Sequence, residues 1–152
     1  MNIKNVVVIG SGTMGSGIAA QVANAGVKVI LLDLPSKEGS RNQITENAKE
    51  RIIKSSPPLL VEKEKANLIT IGNIDDDFKE VEQADWVVEA VVERIDIKHS
   101  IYSKIQAVRK PESIISSNTS TIPLKILSAN KTASSTECCP SASNVITAWP
   151  FK

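Results

Sequence analysis

A glycine-rich turn between a strand pattern and a helix pattern constrains the fold of this chain more than any other feature. Residues 3–9 contain the β-branched run VVVI and predict a first strand. Residues 13–25 place Met14, Ile18 and Val22 on one helical face and predict a first helix. The turn between them reads Gly10-Ser11-Gly12-Thr13-Met14-Gly15. It fits the G-x-G-x-x-G pattern, and a position between a strand and a helix is the context in which that pattern binds a dinucleotide.

Each glycine of this turn has a separate mechanical task in such a site. Gly10 makes the tight turn, Gly12 lets the backbone approach a pyrophosphate, and Gly15 allows close packing of the helix on the strand. The start of the helix supplies N–H donors and a partial positive charge for the phosphates. We therefore expect the whole turn to bind the cofactor, including its other members, Ser11, Thr13 and Met14. The alternative is a glycine-rich turn without a ligand.

An acid at the end of the second strand indicates which dinucleotide is bound. Asp33 follows the predicted strand 27–32 and lies 18 positions after Gly15, near the spacing of about 20 that is typical of such folds. A carboxylate there accepts hydrogen bonds from the adenosine ribose hydroxyls and repels the extra phosphate of NADP. No arginine is adjacent in the sequence. The prediction is therefore NAD, the alternative being a solvated acid at a strand end.

The rest of the chain alternates strand and helix patterns, which predicts a Rossmann-type, doubly wound α/β fold with a parallel sheet. The strands 68–71, 86–92 and 114–117 follow the first two, and the most apolar of them is 86–92. The helices are predicted over 40–54, 60–67 and 95–108. Asp75-Asp76-Asp77 is interpreted as the N-cap and first-turn acids of a short helix. The alternative, a metal site, lacks a spaced set of ligands, so no metal is predicted.

The overall composition excludes several classes of function. A chain of 152 residues is about one domain, and a net charge of +1 argues against a nucleic-acid partner. No apolar run approaches the roughly 18 residues of a membrane span, and the N-terminus lacks the features of a signal peptide. A cytoplasmic protein without a membrane partner is therefore expected. Cys138 and Cys139 are adjacent, and we interpret them as free thiols without a function.

Three blocks of the sequence resemble the NAD domain of the 3-hydroxyacyl-CoA dehydrogenases, in that family's order and spacing. The blocks are VIGSGTMGSGIA at 8–19, VVEAVVE at 87–93 and SNTS at 117–120. The resemblance covers roughly residues 3–128. It implies hydride transfer between NAD and a 3-hydroxyacyl-CoA in fatty-acid β-oxidation. The SNTS block counts against a third candidate, a dehydrogenase of the 6-phosphogluconate type.

The resemblance also implies roles for individual residues. Glu93 matches an acid beside the cofactor, and Lys98 matches a lysine of the cofactor site. Ser120 matches the catalytic-site serine that meets the substrate and the nicotinamide end, and Asn118 shapes its loop. The alternatives are a solvated acid at a helix start, a surface lysine and a serine in a turn or N-cap.

Family members also carry a catalytic histidine in a His-Phe-Phe-Asn-Pro stretch, a glutamate that orients it, and a helical C-terminal domain. The sequence contains none of these, and its single histidine, His99, is predicted to face away from the apolar side of its helix. We therefore expect an NAD-binding domain over 1–130, an unpacked tail over 131–152, and little or no activity for this chain alone. The missing parts would come from a second chain; the alternative is a truncated or decayed module that binds NAD without catalysis.

Overall fold

A parallel six-stranded sheet forms the centre of the computed structural model, which describes residues 3–119 and the backbone of 146–148. Within these residues the strands are β1 Asn5–Ile9, β2 Lys28–Asp33, β3 Ile69–Asn73, β4 Trp86–Glu89, β5 Ile114–Ser117 and β6 Ile146–Ala148. They lie in the order β3-β2-β1-β4-β5-β6. This order is that of the Rossmann fold, so the predicted fold class is confirmed.

Within the described residues, three α-helices lie between strands that follow one another in the sequence. They are α1 Thr13–Asn24, α2 Gln43–Lys54 and α3 Ile95–Val108. Two predicted helices differ by more than one residue: the second helix begins at Gln43 rather than at 40, and the predicted helix 60–67 is a 3₁₀ segment, Lys63–Leu68. A further 3₁₀ segment, Phe78–Gln83, precedes β4.

Alternate side chains of β1 enter two separate cores, one on each face of the sheet. Val6 and Val8 belong to the core that includes residues of α1 and α2. Val7 and Ile9 belong to the core that includes residues of α3 and the 3₁₀ segment before β4. Because both faces are covered, the strand is apolar throughout, as is typical of parallel sheets. Ligands in such folds bind beyond the carboxyl ends of the strands.

Strand β4 is shorter than the apolar run 86–92 predicts. It ends at Glu89, and the N–H of Val91 donates to the Glu89 side chain at 2.9 Å instead of to a neighbouring strand. Val92 is exposed. The apolar pattern alone does not locate the end of the strand, because that end is set by a hydrogen bond to a side chain.

The structure describes three residues of the predicted tail. Residues Ile146–Ala148 pair with β5 in parallel, with Ile146 opposite Ile115. Strand pairing uses backbone N–H and C=O groups, so it does not require the periodic apolar face that the tail lacks. The other residues of 131–152 that the tail comprises, Cys138 and Cys139 among them, lie outside the described part of the chain.

An apolar groove of about 460 Å³ runs beside α1 on the first face of the sheet. Its walls include Ile18 and Val22 of α1 and Trp86 and Val88 of β4, and Thr13, Met14 and Asn118 lie at one end. The indole N–H of Trp86 donates to the Ser116 hydroxyl at 2.9 Å, so its polar atom is paired within the sheet.

The three consecutive aspartates are divided among different partners. Arg41 donates to both carboxylate oxygens of Asp76, at 2.7 and 3.0 Å. Asp77 lies at the N-cap position of Phe78–Gln83, so Asp75 and Asp76 precede this segment and are not acids of its first turn. The Asp77 carboxylate accepts the N–H of Asn73 rather than capping the segment. No group of three side chains suited to a metal ion occurs in the described residues. Within the same residues, no helix is long and apolar enough to cross a membrane.

Asp85, just before β4, gives the fold a specific sensitivity to acid. Its carboxylate accepts the N–H groups of Lys4 and Asn5 at 2.9 and 3.0 Å, and Lys110 pairs with it at 3.0 Å. These partners hold the pKa of Asp85 down at about 2. A lowered pKa stabilises the folded state above the usual aspartate pKa, and this stabilisation is lost as the pH falls from about 4 to about 2.

We expect Asp85→Asn to flatten the pH dependence of the free energy of unfolding in that interval, as measured by urea denaturation. The exposed Asp75→Asn serves as the matched control, with an unchanged profile. A profile for Asp85→Asn as steep as that of the unmodified chain would contradict the assignment.

Candidate cofactor-binding site

The turn between β1 and α1 has the geometry that its glycine pattern predicts. Gly10 has a φ of +104°, which side chains rarely adopt, and a Cβ there would lie 2.5 Å from the Ala90 carbonyl oxygen. A Cβ on Gly15 would lie 1.8 Å from the carbonyl oxygen of Gly10. Only glycine fits either position, because no other residue allows α1 to begin so close to β1.

The middle of the turn is open in the direction where a pyrophosphate would lie. No atom lies within 4 Å of a Cβ built on Gly12, which is the N-cap residue of α1. Thr13 and Met14 form the first turn of this helix, and Met14 is partly exposed. The first N–H groups of a helix have no partner within it, and they favour an anion. The residues present therefore fit a diphosphate group at this position.

Asp33 joins the end of β2 to the glycine turn. Its Oδ2 accepts the backbone N–H and the hydroxyl of Ser11, both at 2.6 Å. Its Oδ1 accepts the N–H of Leu34 at 2.7 Å. A carboxylate has about four acceptor positions, so these three bonds leave about one for a ribose hydroxyl. Sequence reasoning did not anticipate that Asp33 also fixes the shape of the turn.

An arginine that is distant in the sequence also reaches the turn. The guanidinium of Arg51, on α2, donates to the carbonyl oxygen of Ser11 at 3.0 Å. The absence of an adjacent arginine in the sequence therefore does not mean that the turn lacks positive charge. The helical pattern of 40–54 predicted the element, but it gave no signal for this contact.

A buried ionic cluster lies at the carboxyl end of β4, and sequence reasoning missed its central member, Glu89. The ammonium group of Lys98 donates to both oxygens of Glu89, at 2.7 and 2.9 Å. The hydroxyls of Ser117 and Tyr102 donate to the same carboxylate, at 2.6 and 3.4 Å. Glu89 and Lys98 are both completely buried. The acid is hidden in the sequence because it occurs within an apolar strand pattern.

The charge of this cluster affects Tyr102. Burial raises the pKa of the Tyr102 hydroxyl, and the negative charge of Glu89 raises it further. The hydroxyl therefore keeps its proton and acts as a donor to Glu89.

Glu93 connects the cluster to the loop after β5. Its carboxylate lies 3.3 Å from the Lys98 ammonium and accepts the hydroxyl of Thr119, and its side chain is one-third exposed. The N–H of Asn118 donates to the Glu89 carbonyl oxygen at 2.7 Å, which ties the same loop to β4. The structure thus brings Glu93, Lys98 and Asn118 together. Ser120, which follows Thr119, lies outside the described residues.

His99 lies on α3, where it is half-buried next to the fully buried Lys98. The buried side of α3 contains Lys98, Ile101, Tyr102 and Ile105. The apolar spacing of Ile97, Ile101 and Ile105 would favour Ile97 on this side, but Ile97 is only partly buried. The difference arises because the ion pair with Glu89 allows a lysine to be buried, which a hydrophobic pattern does not predict.

A parallel sheet in this order, with a glycine turn leading into α1 and an acid at the end of β2, defines a dinucleotide-binding Rossmann domain. A family profile described as "3-hydroxyacyl-CoA dehydrogenase, NAD binding domain" matches residues 5–139. The chain therefore belongs to the family of 3-hydroxyacyl-CoA dehydrogenase NAD-binding domains, and the resemblance noted in the sequence is confirmed.

Individual relatives agree with this assignment. A "Putative fatty acid oxidation complex trifunctional enzyme" of Rickettsia felis is 50% identical over 129 residues, covering 84% of this chain and 18% of the relative. A "Probable 3-hydroxyacyl-CoA dehydrogenase" of Deinococcus radiodurans is 45% identical over 128 residues, covering 83% of this chain and 37% of the relative. Among solved structures, the 3-hydroxybutyryl-CoA dehydrogenase of Escherichia coli K12 superposes with a TM-score of 0.71 at 28% identity, over 85% of this chain and 27% of that one. The chain thus spans less than half the length of each of these proteins.

Proposed function

We propose that this chain binds NAD across the carboxyl edge of its sheet and forms the cofactor-binding part of an enzyme that oxidises a 3-hydroxyacyl-CoA in fatty-acid degradation. The observation that carries the proposal is the glycine turn at the start of α1, held by Asp33 at the end of β2. The family to which the chain belongs supports the same cofactor.

The described residues divide the proposed cofactor site into two ends. The turn from Gly10 to Gly15 binds the diphosphate, and the carboxylate of Asp33 accepts the adenosine ribose hydroxyls. Glu93 faces the nicotinamide half from the loop between β4 and α3, with Lys98 behind it. Ser120 is proposed to contact the substrate and the nicotinamide end, in the loop that Asn118 shapes.

Held by the glycine turn and Asp33, NAD would supply the hydride acceptor for the substrate alcohol. The chain's own residues bind and orient the cofactor, and the substrate hydroxyl needs a general base to take its proton. The sequence contains no His-Phe-Phe-Asn-Pro stretch to supply one. We therefore propose that catalysis requires a further polypeptide part, such as the remainder that the longer relatives contain.

The NAD preference is tested by titration of the 152-residue chain with both cofactors. We expect NAD to bind more tightly than NADP, because the charge of Asp33 repels the extra phosphate. Asp33→Ala removes a charged hydrogen-bond acceptor, so we expect the affinity for NAD to fall about 10–100-fold. The difference between the affinities for NAD and NADP is expected to become smaller.

Ser11→Ala is the matched control for this prediction. It removes the Ser11 hydroxyl from Asp33 but leaves the carboxylate in place, so the preference for NAD is expected to persist even if both affinities decrease. Equal affinities of the unmodified chain for NAD and NADP would contradict the role of Asp33.

A second candidate is an NAD-binding module without catalysis, which the missing histidine motif favours. The two candidates agree on NAD binding and differ in whether a second polypeptide restores turnover. In either case we propose a cytoplasmic protein. For the first candidate, we propose an acyl-CoA as the substrate of the complete enzyme.

A further inference from the structure

Glu89 occupies a position where a charged side chain is energetically costly. It is the last residue of β4, lies between Ile9 of β1 and Ser117 of β5, and is completely buried. Removing a carboxylate and an ammonium group from water costs several kcal/mol per ion, and apolar residues of similar volume often stabilise a fold as well. Packing alone therefore does not account for the Glu89–Lys98 pair.

The position of the Glu89–Lys98 pair next to Glu93 provides another reason for its presence. Lys98 is completely buried, so its ammonium group acts on its surroundings through the two carboxylates that it contacts. Glu89 accepts bonds from β5, α3 and the N–H of Val91, which fixes it on three sides. The lysine is in turn fixed by Glu89 at 2.7 Å.

From Lys98 the contacts continue outward to the surface. Lys98 lies 3.3 Å from Glu93, whose side chain is partly exposed, and Glu93 accepts the hydroxyl of Thr119. Thr119 immediately precedes Ser120 in the sequence. The chain of contacts therefore runs from a fixed, buried acid to the rim where the nicotinamide half of NAD is proposed to lie.

We propose that Glu89 is a positioning residue of the cofactor site: through Lys98 it fixes the carboxylate of Glu93 and, with Thr119, the loop after β5. The inference rests on the proposed NAD-binding function and deepens it. Glu89 itself does not contact the cofactor, and Lys98 acts through Glu93.

Asp85 provides a matched control, because it lies at the other end of the same strand and is also paired with a lysine. We expect Glu89→Gln to weaken NAD binding about tenfold, which corresponds to the loss of one charged hydrogen bond. The affinity is measured by isothermal titration, under conditions where circular dichroism shows a fully folded chain. Asp85→Asn is expected to bind NAD within twofold of the unmodified chain. Unchanged affinity in Glu89→Gln, or an equal loss in Asp85→Asn, would overturn the proposal.

A double variant, Glu89→Leu with Lys98→Met, separates positioning from stability. Replacing both members of a buried pair by apolar residues restores much of the stability that a single replacement loses. If Glu89 positions Glu93, the double variant regains resistance to urea but not NAD affinity. Recovery of both properties would mean that the pair is structural only.

A measurement without cofactor distinguishes this inference from the proposed function. In ¹H–¹⁵N spectra of the cofactor-free chain, we expect the amide resonances of Glu93 and Thr119 to shift or broaden in Glu89→Gln and to remain in place in Asp85→Asn. Unchanged resonances would overturn the positioning role. Failure of the unmodified chain to bind NAD would overturn the proposed function alone.

Discussion

Replacement of Lys98 by methionine is expected to lower the free energy of unfolding by about 3–5 kcal/mol, because it leaves the Glu89 carboxylate buried without a counter-charge. The remaining donors to that carboxylate are the N–H of Val91 and the hydroxyls of Ser117 and Tyr102. None of them carries a charge. The free energy of unfolding of a single domain is about 5–15 kcal/mol, so the variant is expected to lose a large part of its total stability.

Urea denaturation followed by circular dichroism measures this loss, and Lys54→Met is the matched control. Lys54 pairs with Glu50 on the surface of α2, where its side chain is 72% exposed. Such a pair contributes about 0–1 kcal/mol. Equal stabilities of the two variants would contradict the importance of the buried pair.

The second large effect is on catalysis. The 152-residue chain is expected to reduce acetoacetyl-CoA with NADH at least about 10²–10⁴-fold more slowly than a complete dehydrogenase, because that is the contribution of a positioned acid or base. Complete enzymes turn over at about 1–10³ per second. The Deinococcus radiodurans relative, at 45% identity, serves as the positive control.

Adding a second polypeptide distinguishes the two candidate functions. The part of the Deinococcus radiodurans relative outside its matched region, produced separately, is mixed with the chain before the assay. Activity that appears only in the mixture supports a cofactor-binding part of an enzyme, and inactivity throughout supports a module without catalysis. Turnover by the chain alone within the normal range would contradict this prediction. It would mean that a residue of this chain already acts as the base.

The sequence predicted the sheet and its site wherever short-range chemistry determines them. The VVVI run of β1, the three glycines and the acid after β2 are local signals, and the structure brings all of them to the same edge. Helix α3, predicted over 95–108, has those same bounds in the structure. These elements depend on periodicity and turn chemistry, both of which are readable from neighbouring residues.

The parts that the sequence did not predict depend on contacts between distant residues. Glu89 and Lys98 are nine positions apart, and each alone has the pattern of a different environment: an apolar strand and a helix surface. Their mutual neutralisation makes both burials possible. The contact of Arg51 with Ser11 spans 40 positions, and the pairing of β6 with β5 uses backbone groups that carry no pattern.

The groove beside α1 has a consequence for the behaviour of the chain in solution. Among residues 3–119, Ile18 and Trp86 line this groove as a partly exposed apolar strip, over the buried side chains of Val22 and Val88. A contiguous apolar strip in contact with water promotes association between molecules and attracts amphiphilic dyes. We therefore expect such dyes to bind in this groove, which a fluorescence titration of the chain would detect.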